Sequence, residues 1–169
     1  WSIKDILAVG LDYILYAWNG SNMTVSQISS LNSSEGEYYS SVAWTKDSSK
    51  LLVGTSSGTI EAYDVETLKK INEIKAISDR IDVIAPMNIS YDVFSFGSQD
   101  SQIKSYDLRE TSKEISTMNG HRQEVCGLKW SLDDRRLASG GNDNKLIIWN
   151  NGRSEPEKVA LVSVIVPPA

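Results

Sequence analysis

Short apolar segments alternate with polar turns along the whole chain. The segments "TIEAYDV" at 59–65 and "KLIIWN" at 145–150 mix β-branched and aromatic residues, which are enriched in strands. Gly, Asn, Asp and Ser occupy the breaks between such segments, where tight turns need them. The pattern therefore predicts an all-β chain built from short strands.

The apolar pattern repeats four times. Each unit carries an apolar strand, a polar turn, a strand like "LAVG", a tight turn and an alternating strand that ends on an aromatic residue. These aromatic residues are Trp18, Tyr63, Tyr106 and Trp149, spaced by 45, 43 and 43 residues. Further strands are expected at "MTVSQIS", "KKINEIKA" and "KEISTMN". Four short strands in about 43 residues is the period of a WD-repeat β-propeller blade.

The repeats define the expected domain organisation. We expect one partial WD-repeat propeller over residues 1–150, with four visible blades, because a lone blade cannot bury both of its faces. Residues 151–169 are expected to form an atypical segment with a strand and a Pro-rich end. The expected repeats lie at about 1–38, 39–78, 79–120 and 121–150.

Composition narrows the classes of function. The 169 residues carry a formal net charge of −5, which argues against a general nucleic-acid surface. No apolar run reaches membrane-spanning length, so we expect no membrane partner. The single cysteine, Cys126, excludes an intrachain disulfide and a multi-cysteine metal site, and we expect neither a metal nor a cofactor.

The fourth unit holds the only histidine of the chain. In a blade of this kind, His121, Ser139, Asp143 and Trp149 can form a hydrogen-bonded chain in which each buried polar group has a partner. The catalytic alternative makes His121 a general base for Ser139 or Cys126. We favour the structural tetrad, and we expect Cys126 to pack as a small buried thiol in the strand "EVCGLKW". The sequence therefore predicts a structural role for these residues, and we do not expect an enzyme.

A Gly-rich turn follows the second strand of the same unit. The run "SGGNDN" lacks the Gly-Lys-Ser/Thr ending of a phosphate-binding loop, and a strand follows it. Its glycines suit the strand end and tight turn of a β-hairpin.

The most specific stretches resemble one family. "QEVCGLKW" followed by "LASGGNDN", together with "LAVGLDYILYAW" and "EYYSSVAWTKDSSKLLVGTSSGTIEAYDV", resembles the fizzy and fizzy-related WD-repeat activators of the anaphase-promoting complex. "YDVFSFGSQDSQIKSYDLR" matches more loosely. The resemblance covers residues 1 to about 150 in family order and mixes fizzy-type with fizzy-related features.

The resemblance implies a function. Such propellers are substrate-recognition subunits of a ubiquitin ligase, bind degron-bearing substrates and mitotic-checkpoint proteins, and are expected in the nucleus and cytoplasm. In the family, the two asparagines of "GGNDN" help to bind the Lys-Glu-Asn degron, which carries over to Asn142 and Asn144. The alternative is that both asparagines only shape the turn, since Asn tolerates left-handed geometry. A generic WD-repeat scaffold with other partners also remains open.

The chain departs from the family in extent. Family propellers have seven blades, and four are visible here. The family's N-terminal arm and C-terminal Ile-Arg tail have no counterpart in these residues, which end "VSVIVPPA".

Overall fold

Among the residues that the structure describes, fifteen strands form four antiparallel sheets arranged in chain order. The computed structural model of the chain describes residues 1–162. The first sheet has three strands in the order β1-β2-β3, and each of the others has four. The strands are β1 Ile6–Leu11, β2 Ile14–Asn19, β3 Thr24–Ser30, β4 Tyr39–Trp44, β5 Lys50–Thr55, β6 Thr59–Asp64, β7 Lys70–Lys75, β8 Ile81–Pro86, β9 Val93–Ser98, β10 Gln102–Asp107, β11 Ser116–Asn119, β12 Val125–Trp130, β13 Arg136–Gly141, β14 Lys145–Asn150 and β15 Pro156–Leu161.

Each four-stranded sheet is a consecutive meander, as the repeat predicts. The strand expected after each terminal aromatic residue forms as β3, β7 and β11. In the fourth sheet this place is taken by β15, which pairs with β14 and begins at Pro156. The Pro-rich end expected for residues 151–169 lies outside the described residues. A single short helix, of the 3-10 type, is described at Ser33–Glu35.

The hydrophobic core lies between successive sheets rather than within one layer. Side chains alternate along each strand, so one strand supplies two interfaces. In β5, Leu51 and Val53 pack with the first sheet, whereas Leu52 packs with the third. A third cluster joins the third and fourth sheets and includes Ile103 and Trp149. This stacking is what the propeller architecture predicts.

Gly54 in β5 and Gly97 in β9 each lie near the end of the second strand of a sheet. Each leaves room for the first residue of the first strand of the following sheet, β8 or β12. A Cβ on Gly54 would lie 2.6 Å from Cγ2 of Ile81. A Cβ on Gly97 would lie 2.7 Å from Cγ1 and 2.8 Å from the carbonyl oxygen of Val125. Because the second contact is with backbone, the two sheets would have to separate to admit it.

Gly97→Ala is therefore expected to destabilise the chain by about 1–3 kcal/mol through overpacking. Gly140→Ala is the matched control, because a Cβ there meets no atom within 4 Å. The free energy of unfolding, measured by urea denaturation, should fall for the first variant and change by less than about 0.5 kcal/mol for the second. Equal losses for both would contradict the close approach at Gly97.

The first and fourth sheets lie at the two ends of the series. Each has one face that no other sheet among residues 1–162 covers. On the first sheet this face includes Leu11 and Val25, which are 59% and 63% exposed. On the fourth sheet it includes Cys126 and Leu146, which are also exposed. The expectation that Cys126 is a buried thiol is therefore wrong. Cys126 lies on the opposite side of β12 from the buried Val125 and faces away from the third sheet.

Candidate functional site: the turn face of the fourth sheet

A continuous hydrogen-bonded chain crosses the fourth sheet. His121 Nδ1 lies 2.9 Å from Asp143 Oδ1, and His121 Nε2 lies 2.8 Å from Ser139 Oγ. Trp149 Nε1 donates to the same Ser139 Oγ at 2.8 Å. All four residues expected from the sequence are thus in contact in the order Trp149, Ser139, His121, Asp143.

One arrangement of protons satisfies every member of this chain. Trp149 can only donate, so Ser139 Oγ accepts from it and gives its own proton to His121 Nε2. His121 Nδ1 then donates to the carboxylate of Asp143. Each buried polar atom has a partner, which removes the cost of burying it.

The same atoms match the order of a Ser-His-Asp triad, but no substrate can reach them. Ser139 is 1% exposed, and the His121 side chain has no exposed surface. Ser139 Oγ is already held by Trp149 and His121. A nucleophile needs an open approach for the reacting carbon and donors for the developing oxyanion. The burial of this chain supports a structural role.

The third sheet has aromatic rings at the positions that Ser139 and Trp149 occupy in the fourth sheet. Phe96 lies 43 residues before Ser139, and Tyr106 lies 43 residues before Trp149. Their rings stack with centroids 6.2 Å apart and planes 23° apart. The fourth sheet therefore has a polar chain at positions where the third sheet has stacked aromatic rings.

The Asp143 carboxylate is the acidic end of the chain. Burial acts to raise the pKa of Asp143, but hydrogen bonds from His121 and from the backbone N–H groups of Arg122 and Lys145 outweigh it. The pKa of this carboxyl therefore lies below its ordinary value of 3.8.

This pKa shift predicts an acid-sensitive contribution to stability. A carboxyl whose pKa is lower in the folded state stabilises the fold above its unfolded pKa, and the contribution is lost as the pH falls through the folded pKa. The difference in thermal midpoint between wild type and Asp143→Asn should be full above pH about 5 and shrink below pH about 4. A difference that stays constant from pH 7 to pH 2.5 would contradict the role of the ionised carboxylate.

Three-residue turns join the second and third strands of three sheets at the same end of the molecule. They are residues 56–58, 99–101 and 142–144, and we call this end the turn face. The third residue of each has positive φ: 82° at Gly58, 70° at Ser101 and 59° at Asn144. The first sheet differs, because β1 and β2 are joined by the two residues Asp12 and Tyr13. Asn144 thus has a conformational role, although Gly and Ser fill the same role elsewhere.

Both asparagines expected to bind a degron are exposed on the turn face. The backbone N–H of Asn142 donates to the carbonyl of Glu124 at 2.9 Å, and its side-chain Nδ2 donates to Glu124 Oε2 at 2.9 Å. Asn142 Oδ1 has only a weak contact with the Cys126 thiol, at 3.7 Å. Within residues 1–162, the side-chain amide of Asn144 makes no hydrogen bond to another residue.

A charged network that was not predicted from the sequence supports this corner of the turn face. Arg80 pairs with Asp82 and, across the boundary between the third and fourth sheets, with Glu124. Arg80 comes directly before β8, the first strand of the third sheet, and Glu124 comes directly before β12, the first strand of the fourth sheet. The Asp82 side chain is 6% exposed, and burial raises the pKa of its carboxyl.

Two other kinds of feature are not found among the described residues. In residues 1–162, no cluster of three or more His, Cys, Asp or Glu side chains has the arrangement of a metal site. No helix described there is long and apolar enough to span a bilayer.

Comparison with known protein families agrees with the fold. The family model of the anaphase-promoting complex subunit 4 WD40 domain matches residues 4–92. The chain belongs to this family. The model of the WD domain, G-beta repeat, matches residues 112–150, which contain the polar chain and the turn at 142–144.

Individual relatives are similar over almost the whole chain. Protein FIZZY-RELATED 3 of Arabidopsis thaliana is 40% identical over 92% of this chain and 31% of the relative. The anaphase-promoting complex subunit cdc20 of Dictyostelium discoideum is 39% identical over 89% of this chain and 29% of the relative. The resemblance to fizzy and fizzy-related proteins is confirmed. The chain spans about a third of the length of these curated relatives.

A solved structure confirms the architecture. A chain from the crystal structure of the mitotic checkpoint complex superposes with a TM-score of 0.89 and 35% sequence identity. The match covers 95% of this chain and 50% of that chain. The all-β WD-repeat propeller with four visible blades, predicted from the 43-residue spacing, is therefore confirmed.

Proposed function

We propose that this chain forms part of the degron-binding propeller of an anaphase-promoting complex activator, a substrate-recognition subunit of that ubiquitin ligase. The observation that carries the proposal is the pair of exposed side-chain amides at Asn142 and Asn144 on the turn face. The similar proteins include Protein FIZZY-RELATED 3 and the anaphase-promoting complex subunit cdc20.

Side-chain amides suit the recognition of an extended polar peptide. Each amide offers both a donor and an acceptor, so it can bind the asparagine amide, the glutamate or the lysine of a Lys-Glu-Asn motif. The turn that carries Asn142 and Asn144 is held by backbone hydrogen bonds from Asn142 N to Glu124 O and from Asn144 N to Gly141 O. A pre-ordered receptor leaves the cost of ordering to the peptide, which favours binding of short linear motifs.

The remaining expectations belong to the same proposal. The partners are degron-bearing substrates, mitotic-checkpoint proteins and the other subunits of the anaphase-promoting complex, and the protein acts in the nucleus and cytoplasm. Within this proposal the chain binds partners and is not itself the catalyst, and the burial of its Ser-His-Asp arrangement, in which each member is already hydrogen-bonded, supports that role. The alternative function is a WD-repeat scaffold that binds partners through another surface.

Titration of a fluorescent Lys-Glu-Asn peptide into the 169-residue chain tests the proposal. A peptide in which the three motif residues are alanine serves as control, and the oligomeric state is measured in the same sample. Saturable binding of the first peptide alone supports degron recognition. Equal affinity for both peptides, or no binding by a folded chain, would favour the scaffold.

A further inference from the structure

In the charged network at the turn face, the ion pair between Arg80 and Glu124 lies next to Asn142. We propose that Glu124, held by Arg80, is a positioning residue that fixes the amide of Asn142 so that Oδ1 is free to accept a hydrogen bond from a bound degron. This inference rests on the proposed degron-binding function and specifies how one of its two asparagines is presented.

The orientation of the Asn142 amide follows from the chemistry of its neighbour. A carboxylate can only accept hydrogen bonds, so the group that faces Glu124 Oε2 at 2.9 Å must be the NH₂ of Asn142. The carbonyl oxygen then lies on the other side of the amide. There it meets only the weak thiol donor of Cys126, at 3.7 Å. The amide thus has a strong internal bond on one side and an available acceptor on the other.

Glu124 is held in place from two directions. Its Oε1 pairs with the Arg80 guanidinium, while its Oε2 accepts from Asn142. Arg80 is held in turn by the nearly buried Asp82. The Glu124 side chain is 23% exposed, so this network is only partly screened by water. A flexible asparagine would lose side-chain freedom on binding, and this network removes that freedom beforehand.

The same network favours one kind of group as the partner of Asn142. Glu124 engages one of the two Nδ2 hydrogens, whereas the oxygen is available, and this favours a donor from the peptide, such as the lysine ammonium or an amide NH₂. Asp82 and Glu124 together with Arg80 give this corner a formal excess of one negative charge. A cationic or neutral donor is therefore preferred over an anionic group.

A double-mutant cycle with the Lys-Glu-Asn peptide separates positioning from direct contact. Glu124→Ala and Asn142→Ala should each weaken binding about tenfold, and the double variant should be no weaker than either single variant. Glu124→Gln should lose less affinity than Glu124→Ala, because its one side-chain oxygen can still accept from Asn142 Nδ2, although its NH₂ group can only donate and cannot pair with Arg80 at the same time. Glu157→Ala is the matched control, since Glu157 pairs with Arg136 at 3.0 Å at the opposite end of the fourth sheet.

The double-mutant cycle distinguishes failure of the positioning role of Glu124 from failure of the proposed degron binding. Unchanged affinity in Glu124→Ala, or losses that multiply in the double variant, would overturn the positioning role while leaving degron binding intact. If the wild-type chain fails to bind the peptide, the proposed function fails.

A measurement without peptide tests the positioning role in either case. In a ¹⁵N-labelled chain, the side-chain NH₂ signals of Asn142 are assigned by their loss in Asn142→Ala. They should shift in Glu124→Ala and stay in place in Glu157→Ala. Signals that do not move in Glu124→Ala would overturn the inference.

Discussion

Replacing Trp149 with alanine is expected to lower the free energy of unfolding by about 3–5 kcal/mol. Trp149 is fully buried in the cluster between the third and fourth sheets, so truncation leaves a large cavity. It also removes the indole N–H that donates to Ser139 Oγ. Urea denaturation followed by circular dichroism measures the loss without relying on tryptophan fluorescence.

Two further variants separate the cavity from the lost hydrogen bond. Trp149→Phe keeps an aromatic ring but no donor, and it should cost less than the alanine variant. Trp18→Ala removes the corresponding aromatic residue of the first sheet, which is only half-buried, and should also cost less. If Trp149→Ala and wild type unfold at the same urea concentration, the polar chain and its packing do not stabilise the fold.

Removing both turn-face amides should weaken binding of a Lys-Glu-Asn peptide at least tenfold while leaving stability nearly unchanged. We choose Asn142→Ala with Asn144→Gly, because Asn144 has a φ of 59° and Gly58 fills the same turn position in the second sheet. Glycine therefore removes the amide without straining the turn. Fluorescence anisotropy gives the affinity, and a thermal melt gives the stability.

Asn22→Ala is the control for this variant. Asn22 is an exposed asparagine in the turn between β2 and β3, so its loss should leave peptide affinity unchanged. Unchanged affinity in the Asn142/Asn144 variant would assign both asparagines to the turn alone.

The sequence predicts the blades well because their determinants are local. Alternating apolar residues and a terminal aromatic residue specify strands, and the 43-residue spacing specifies that the strands repeat. His121, Ser139, Asp143 and Trp149 lie at fixed offsets within one unit, so their contact could also be anticipated. Glu124 lies in the same unit, but its partner Arg80 is 44 residues away. Nothing in the charge pattern of either segment indicates that pairing, which depends on how two sheets stack.

Cys126 shows where local reasoning gives the wrong answer. Its strand is apolar and begins with the fully buried Val125, so burial of the thiol is a reasonable expectation. A register irregularity lies between Val125 and Gly127 where β12 pairs with β13. Exposure of Cys126 depends on which face of the fourth sheet packs against another sheet. The order in which the four sheets stack determines that, and a single strand does not show it.

The most direct test of degron binding on the turn face is to map the bound peptide by nuclear magnetic resonance. Addition of unlabelled Lys-Glu-Asn peptide to the ¹⁵N-labelled chain should shift the backbone and side-chain signals of Asn142 and Asn144 most, with smaller shifts at Glu124 and Cys126. Shifts confined to the opposite end of the fourth sheet, around Asp134 and Arg136, would contradict the account. So would a peptide that binds without perturbing residues 142–144.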